Sequence, residues 1–241
     1  MEIAVLSDIH ANLEAFLKVL GDIDARGIQK IISIGDNIGY GPDPEAVMQL
    51  LLAKGIYSTL GNHEMPVKQK SFINWFNPVA QKSVHYTLSR LSDASVAAIK
   101  TFEPFVIFKG ARFVHGVPKK SLTLYIFQLS EDILLKKFRE MDESVCFIGH
   151  THDLDLIAYD GVEFERSALP EGVTPLDKEK KYIINIGSVG QPRDGDNRAK
   201  YVIWDSDANT VELKCLAYDY QKTGEKIRAA GLPEQYARRL G

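Results

Sequence analysis

The chain has 241 residues, of which 45% are hydrophobic and 25% charged, close to ordinary globular usage, which excludes disordered, collagen-like and coiled-coil classes. The net charge of −3 and the pI near 6.1 argue against a broad nucleic-acid-binding surface, although a local basic cluster could still hold one phosphorylated ligand. A chain of this length can bury a sizeable core, and we expect a single domain over residues 1–241.

The first sixty residues alternate between strand and helix patterns. Apolar residues at Leu13, Phe16, Leu17 and Leu20 have helical spacing. Asp43-Pro44 predicts a helix start with Asp43 as an acidic cap and Pro44 at the first helical position. The expected elements are strands over 2–7, 30–34 and 55–60, and helices over 12–25 and from Asp43-Pro44 to about Lys54. This alternation predicts a mainly parallel sheet with right-handed crossovers.

The pattern changes twice after Glu64. Helical periodicity over 78–91 and 92–100 predicts a helical cap insertion at about 65–100. Short strands are then expected over 103–109, 111–115, 144–149, 155–159, 162–166, 181–186, 200–205 and 209–217, with helices near 130–140, 218–230 and 232–239 and a polar loop over 167–180. The fold class that accommodates these elements is a four-layer α/β/β/α sandwich of two mixed sheets flanked by helices.

Cysteine usage and the N-terminus bear on the compartment. Cys146 and Cys215 lie in apolar strand-like runs, so we expect buried free thiols rather than a disulfide framework. The N-terminus has no basic region of a signal peptide, and no stretch approaches the ~18 apolar residues of a membrane span. We therefore expect a cytoplasmic protein without membrane contact.

Five segments place metal-competent side chains directly after an apolar strand. They are VLSDIH, IISIGD, STLGNHE, RFVHG and VCFIGHTH, which contribute Asp8, His10, Asp36, Asn62, His63, His115, His150 and His152. In open α/β sheets ligands bind beyond the carboxyl ends of the strands, so these residues should converge. Five of the six histidines lie in these segments, and only His85 lies outside.

Each segment alone has an ordinary structural explanation. His115 on an apolar strand is more often a satisfied core histidine, Asp36 could begin a Gly-Asp turn, and Asn62 could occupy a left-handed turn position. Together, carboxylate, imidazole and amide oxygen favour borderline divalent ions such as Mn²⁺, Zn²⁺, Fe²⁺ or Co²⁺. Two ions need a bridge, and Asp36 is the candidate because its two oxygens can each reach one ion.

The ordered set DIH, GDNIGYG, GNHE, strand-terminal His115 and GHTH resembles the calcineurin-like metallophosphoesterase superfamily, from residue 3 to at least 190. Within it, DIHANLEAF, GDNIGYGPDP and INIGSVGQPRDGD look most like the diadenosine tetraphosphatase-like and YfcE-like bacterial and archaeal branch. The resemblance implies two divalent metal ions, Mn²⁺ first and Fe, Zn, Co or Ni as alternatives. It implies the metal ligands Asp8, His10 and His152 for one ion, Asn62, His115 and His150 for the other, and Asp36 between them.

The implied mechanism is two-metal hydrolysis without a covalent enzyme intermediate. A metal-bridging hydroxide would attack the phosphorus in line while the ions clamp the phosphoryl oxygens. The resemblance implies that His63 is not a ligand; it is placed to stabilise developing charge or protonate the leaving oxygen, and its alternative role is to hydrogen-bond a ligand. His63 and Asp36 are thus the candidate catalytic residues.

Substrate contacts are less defined by the sequence. Where better-known phosphatases of the superfamily carry an Asp-Arg pair, this chain has Gly39-Tyr40, which puts a protein-phosphatase role in doubt. Arg193, after a glycine-flanked turn, is the candidate substrate-binding residue; its alternatives are a solvated side chain or a pair with Asp194. Further candidates, each with an ordinary surface or packing alternative, are Lys119 and Lys120, and a nucleobase stack on Trp75, Phe76 and Asn77.

Three functions follow from these residues. The first is hydrolysis of phosphodiester or phosphoanhydride bonds in small phosphorylated molecules or nucleotides, including dinucleoside polyphosphates. The second is a phosphomonoesterase or serine-threonine protein phosphatase on the same site. The third is a non-catalytic scaffold, which the presence of all seven expected ligands disfavours. The expected partner is a small phosphorylated substrate, with nucleic acid disfavoured and the oligomeric state not readable.

Overall fold

The computed structural model describes all 241 residues, arranged as two six-stranded mixed sheets with helices on both outer sides. The predicted four-layer sandwich is therefore confirmed. The strands are β1 (Glu2–Leu6), β2 (Lys30–Ser33), β3 (Tyr57–Ser58), β4 (Phe105–Phe108), β5 (Ala111–Val114), β6 (Val145–Ile148), β7 (Leu154–Tyr159), β8 (Phe164–Ser167), β9 (Gly172–Pro175), β10 (Lys181–Ile186), β11 (Ala199–Asp205) and β12 (Thr210–Leu216).

The helices follow the sequence signals closely. They are α1 (Leu13–Ala25), α2 (Pro44–Ala53), α3 (Met65–Lys68), α4 (Pro78–Arg90), α5 (Asp93–Thr101), α6 (Glu131–Glu140), α7 (Tyr220–Ala229) and α8 (Glu234–Arg238). Asn77, Ser92 and Ser130 cap the starts of α4, α5 and α6 with side-chain hydrogen bonds. Helices that are both long and apolar enough to cross a bilayer are absent.

Each sheet contains a parallel group of three strands. The first sheet has the order β3-β2-β1-β11-β12-β9, with β1, β2 and β3 parallel, and the second has the order β4-β5-β6-β10-β7-β8, with β5, β6 and β10 parallel. The remaining pairings are antiparallel. The loops that follow these two groups carry the site described below.

Successive side chains along each strand point to opposite faces of its sheet, which gives three hydrophobic cores: one between the sheets and one under the helices on each outer side. In β1, Ile3 and Val5 face the core between the sheets, while Ala4 and Leu6 face the core beneath α1 and α2. In β6, Val145 and Phe147 face the inter-sheet core, and the alternate residues pack under α6. Side chains that alternate between two apolar environments explain why these strands read as continuous apolar runs.

Four local expectations are wrong. The predicted polar loop over 167–180 contains β9, an edge strand that pairs with β12, and the strand expected over 55–60 is only two residues long. Asp43 precedes α2 but makes no capping hydrogen bond, because its carboxylate accepts one from Lys226 instead. Cys146 is buried and free as expected, whereas Cys215 is free but only half-buried.

Candidate metal centre

All the predicted metal-binding residues, and His63, converge at the carboxyl ends of the two parallel groups. Each of these eight side chains is at most 4% exposed. They are Asp8 after β1, Asp36 after β2, Asn62 and His63 after β3, His115 after β5, His150 and His152 after β6, and His10 in the turn before α1. Strand topology thus collects residues from five separate segments at one edge of the sandwich.

The backbone adopts an uncommon conformation at this edge. Five of the seven predicted ligands have positive φ angles: Asp8 at 53°, His10 at 48°, Asp36 at 53°, His150 at 68° and His152 at 65°. Non-glycine residues rarely occupy the left-handed region, and where they cluster the surrounding structure must hold them there. The concentration of these conformers in one place indicates that side-chain direction here is set by the fold.

The first donor group combines Asp8, His10 and His152. His152 Nε2 lies 3.1 Å from Asp8 Oδ1, and His10 Nε2 lies 3.5 Å from the same oxygen. The two imidazole Nε2 atoms are 3.1 Å apart. Three ligand atoms therefore face one small volume.

The second donor group surrounds His115 Nε2. This nitrogen lies 3.1 Å from Asn62 Oδ1, 3.1 Å from His150 Nδ1 and 3.2 Å from Asp36 Oδ2. An amide oxygen, a carboxylate oxygen and two imidazole nitrogens again face one volume.

Asp36 lies between the two groups, but not in the way the sequence suggested. The expectation that each of its oxygens would face one group is wrong: Oδ1 accepts a hydrogen bond from His63 N at 2.8 Å. Oδ2 faces both groups, at 3.2 Å from His115 Nε2 and 3.7 Å from His10 Nε2. One oxygen atom is therefore the shared donor.

The four clustered histidines are held in one tautomer by the backbone. In each ring the nitrogen that points away from the cluster donates to a carbonyl oxygen: His10 Nδ1 to Ile38, His115 Nδ1 to Ile34, His152 Nδ1 to Gln191 and His150 Nε2 to Thr123. In a neutral imidazole the other nitrogen then carries a lone pair. A carbonyl partner on the outer nitrogen is the usual support of a metal-binding histidine.

These lone pairs fit divalent metal ions. Inward nitrogens only 3.1 Å apart, as in His10 and His152, repel unless a cation or a proton lies between them. Asp8 Oδ1 is buried and accepts no hydrogen bond, so it too faces the cluster with free lone pairs. Mixed nitrogen and oxygen donors of this kind suit borderline divalent ions.

The pKa values of the clustered carboxylates and histidines are shifted by burial and by their close contacts with one another. Burial acts to raise the pKa of Asp8, but its close contacts with His152 and His10 outweigh burial and hold the pKa well below its usual range. Burial, with the other histidines, lowers the pKa of His150 to about 3. At His115 burial acts in the same direction, yet Asp36 outweighs it and raises the pKa to about 9. Without metal, the cluster therefore keeps its carboxylates ionised and concentrates positive charge on His115.

His63 lies beside the cluster and faces the cavity. Its ring packs between Tyr40, at a centroid distance of 4.4 Å, and Phe76, at 4.9 Å. A Cβ on Gly39 would lie 2.1 Å from His63 Nδ1, so the ring can sit here only because residue 39 is glycine. Nδ1 is buried without a partner, and burial lowers the pKa of His63 to about 3. His63 also forms a third possible donor group with His10 and Asp36.

Glu64 is a buried residue whose role the sequence did not reveal. Its carboxylate accepts hydrogen bonds from the backbone N–H groups of Asp36 at 2.9 Å, Asn37 at 2.8 Å and Gly61 at 2.8 Å. It therefore ties the loop after β2, which carries Asp36, to the loop after β3, which carries Asn62. The motif GNHE contained Glu64, but only the fold shows that its side chain turns back toward two loops.

A cavity of about 280 Å³ opens over the second group and the shared carboxylate. It is lined by Asp36, Tyr40, Asn62, His63, Trp75, Phe76, Asn77, Ala80, Tyr125, His150, His152 and Arg193. Tyr125 had no sequence signal; its ring stacks on His150 at 4.0 Å and 13°. Potential metal ligands and one arginine therefore line the same cavity. Its aromatic wall consists of Tyr40, Trp75, Phe76 and Tyr125.

Arg193 reaches the cavity, and the lysines proposed with it do not. Arg193 Nη2 donates to Gln191 Oε1 at 3.0 Å, while Asp194 accepts instead from Lys200 Nζ at 2.9 Å, so the alternative pair of Arg193 with Asp194 is absent. Lys119 and Lys120 are exposed outside the cavity lining, and Lys119 Nζ lies 3.7 Å from Glu140.

Of the three residues considered for nucleobase stacking, two have structural roles. Phe76 is buried in a cluster with Ile73, Ala80 and Val84, and Asn77 Oδ1 caps α4. Trp75 is 46% exposed and stacks on Phe72 at 5.5 Å. Of the three residues considered for nucleobase stacking, Trp75 alone offers a free ring surface.

Comparison with known proteins gives consistent matches over most or all of the chain. The profile of the calcineurin-like phosphoesterase superfamily domain matches residues 1–209. An uncharacterised protein of Methanocaldococcus jannaschii is 37% identical, over 99% of this chain and 96% of the relative. The crystal structure of a metallophosphoesterase from Sphaerobacter thermophilus is 34% identical, with a TM-score of 0.85 over 100% of this chain and 98% of that one. A hypothetical protein from Pyrococcus horikoshii shares the fold at 17% identity, with a TM-score of 0.79 over 99% and 97% of the two chains.

Proposed function

The chain belongs to the calcineurin-like phosphoesterase superfamily, and from that premise we propose that it is a dinuclear metal-dependent phosphoesterase. Its substrates are phosphodiesters or phosphoanhydrides of small phosphorylated molecules or nucleotides. The observation that carries this proposal is the pair of donor groups that share Asp36 Oδ2. A site for one ion would need only one such group.

Each residue has a role in this proposal. Asp8, His10 and His152 would hold one ion, Asn62, His115 and His150 would hold the other, and Asp36 would be shared between them. When bound, two divalent ions supply Lewis-acid activation of the phosphoryl group and lower the pKa of water, with Mn²⁺ the first candidate and Fe, Zn, Co or Ni the alternatives. The backbone carbonyls that accept from the outer nitrogens direct the inward nitrogens of the neutral rings toward the ions.

His63 acts on the leaving group. Its Nδ1 is buried against Gly39, so Nε2 is the ring atom available to the cavity. We assign to this nitrogen the transfer of a proton to the leaving oxygen, or the stabilisation of charge that develops there.

The charge of the cavity favours diesters over monoesters. Arg193 is the single lysine or arginine among the lining residues. A phosphodiester carries one negative charge, whereas a monoester carries about −1.5 to −2 at neutral pH. Beyond the metal ions, Arg193 is the only permanent cation that the lining offers to the ester, so we propose the singly charged diester as the preferred substrate.

The substitution Asp36→Asn tests the dinuclear centre. It removes the shared anionic oxygen, so we expect loss of hydrolysis of bis(p-nitrophenyl) phosphate at saturating Mn²⁺ and loss of metal from the purified protein. Activity and metal content by elemental analysis are measured together. The matched control is Asp24→Asn, a surface carboxylate paired with Lys54, which should leave both unchanged. Near-normal turnover of Asp36→Asn would overturn the two-metal proposal.

Arg193→Ala tests the substrate contact. Because Arg193 lies outside the donor groups, metal content should stay at the wild-type value while KM for the diester rises. Removal of one charge-assisted contact corresponds to about a tenfold change or more. Lys119→Ala, outside the cavity, is the control. Unchanged kcat and KM would remove Arg193 from the site.

A further inference from the structure

Tyr40 occupies the loop after β2, between two glycines and four residues beyond the shared carboxylate Asp36. Its φ angle is +57°, in the left-handed region that an aromatic residue seldom adopts. The loop is also fixed by its neighbours: Gly41 N donates to His10 O at 3.0 Å, and Tyr86 OH donates to Pro42 O at 2.9 Å. A strained position that is held on both sides points to a defined use for the side chain.

The ring of Tyr40 is held by contacts with three neighbouring rings. Its centroid lies 4.6 Å from that of His10, 4.4 Å from that of His63 and 4.8 Å from that of Tyr236 in α8. Two residues of the proposed metal site and one residue of a C-terminal helix therefore contact the ring. The side chain has little freedom to swing out of the cavity.

The hydroxyl group is left without a partner in the protein. Tyr40 lines the cavity, and its hydroxyl forms no hydrogen bond within the protein. A phenol is protonated at neutral pH, so the hydroxyl is a free donor. Arg193 lies beside it, with the guanidinium carbon 6.0 Å from the centre of the ring. A half-buried phenol with a free donor therefore lies beside the one arginine of the cavity.

We propose that the Tyr40 hydroxyl donates a hydrogen bond to a non-bridging oxygen of the substrate phosphoryl group, and that this neutral donor makes the site selective for phosphodiesters over phosphomonoesters. The inference rests on the proposed function and names its specificity-determining residue. A phenol supplies one donor without adding charge, so it stabilises a singly charged phosphoryl group. A cation at the same position would add the charge that a dianionic monoester requires.

Two substitutions at residue 40 and one control test the proposal. Tyr40→Phe removes only the hydroxyl, and Tyr40→Arg replaces the neutral donor by a charged one. The control Tyr236→Phe removes the same atom from the ring that packs behind Tyr40 but lies outside the cavity lining. For each protein, kcat/KM is measured with bis(p-nitrophenyl) phosphate and with p-nitrophenyl phosphate in Mn²⁺, together with metal content and thermal midpoint.

We expect Tyr40→Phe to keep wild-type metal content and to lower kcat/KM for the diester by about 10–100-fold, the usual effect of losing one donor to a charged group. Tyr40→Arg should raise the monoester-to-diester ratio by about tenfold or more. Tyr236→Phe should leave the ratio unchanged. A merely structural role for Tyr40 would lower stability without moving this ratio in favour of the monoester.

The outcomes separate the two proposals. If the wild-type protein hydrolyses phosphate esters but Tyr40→Phe matches it and Tyr40→Arg leaves the ratio unchanged, the role of Tyr40 is wrong and the phosphoesterase proposal stands. If the metal-loaded wild-type protein hydrolyses neither ester nor a dinucleoside polyphosphate, the proposed function is wrong and the Tyr40 inference falls with it.

Discussion

At the scale of single residues, hydrogen bonding separates the histidines proposed to hold ions from His63, the residue proposed to transfer a proton. The four clustered histidines give their outer nitrogens to backbone carbonyls, whereas both ring nitrogens of His63 lack a hydrogen-bonding partner in the protein. A histidine without a supporting carbonyl keeps either tautomer and can exchange its proton. This difference, rather than position in the motif, distinguishes His63 from the ligands.

His63→Ala should therefore leave two metal ions bound and slow the reaction. We expect kcat for the diester to fall by about 10²–10⁴-fold, the usual contribution of a general acid. Turnover is followed by nitrophenolate release, and metal content by elemental analysis. His85→Ala, the exposed histidine of α4, is the control and should behave as wild type. Loss of one ion from His63→Ala would show that the third donor group is used and that His63 is a ligand.

At the scale of elements, two loops are joined by one buried carboxylate. Glu64 accepts from backbone N–H groups in the loops after β2 and β3, which supply Asp36 and Asn62. Burial and the nearby Asp36 raise the pKa of Glu64 to about 7, while the backbone donors act against this shift. Glu64 is thus a positioning residue: it fixes the loops that carry the proposed ligands Asp36 and Asn62, and it is not itself a proposed metal ligand.

Glu64→Gln should loosen both loops. The amide offers one acceptor oxygen, and its NH₂ group would face a backbone donor, so about 2 kcal/mol of stability should be lost. For a chain of this size that corresponds to a fall of about 4–8 °C in the thermal midpoint. Calorimetry with and without Mn²⁺ measures the change, and the metal-dependent increase in midpoint should also shrink. Glu45→Gln, at the start of α2, is the control. A variant as stable and as responsive to Mn²⁺ as wild type would contradict the role of Glu64.

Element boundaries show what the sequence could and could not predict. Strands with two apolar faces, such as β1 and β6, and helices with clear caps, such as α4 to α6, were predicted within a few residues. The edge strand β9 was missed because Gly172–Pro175 is exposed on alternate residues and contains glycine and proline, which are typical of loops. Its strand conformation depends on pairing with β12, a contact between distant residues that no local pattern encodes.

The residues of the site likewise divide into those that the sequence could predict and those that it could not. The strand-end positions of Asp8, Asp36 and His115 were predictable because topology brings the carboxyl ends of parallel strands together. Tyr125 was not, since it lies in a long connection between β5 and α6 and reaches the cavity only by stacking on His150. Likewise the sequence could propose Asp36 as the shared residue, but not that Oδ1 is occupied by His63 N.

At the scale of the whole molecule, the C-terminal helices α7 and α8 pack against the loops that carry site residues. They follow the region that matches the family profile, residues 1–209, and their apolar cluster packs against Tyr40 and Tyr86. Thr223 Oγ1 of α7 lies 3.0 Å from Asn12 Oδ1, next to the turn that carries His10. These helices thus support two site loops without contributing a proposed metal ligand.

The substitution Tyr236→Ala tests whether α8 holds Tyr40 in place. Removing the buried ring behind Tyr40 leaves a cavity and should destabilise the protein by about 3 kcal/mol or more. At a temperature where the variant is folded, we expect normal metal content but lower kcat/KM for the diester, because Tyr40 is then free to move. Urea unfolding and kinetics are the measurements, with Tyr57→Ala on the first sheet's edge as the control. Wild-type kinetics in folded Tyr236→Ala would show that Tyr40 is held without α8.

The left-handed backbone at five of the seven proposed ligands has a consequence for how the protein tolerates change. Each such residue costs the folded chain roughly 1–2 kcal/mol relative to glycine, which occupies the same region freely. A sequence selected for heat resistance alone would carry glycine or asparagine at residues 8, 10, 36, 150 and 152. The backbone strain of the chain is therefore concentrated at the edge that carries the proposed metal site.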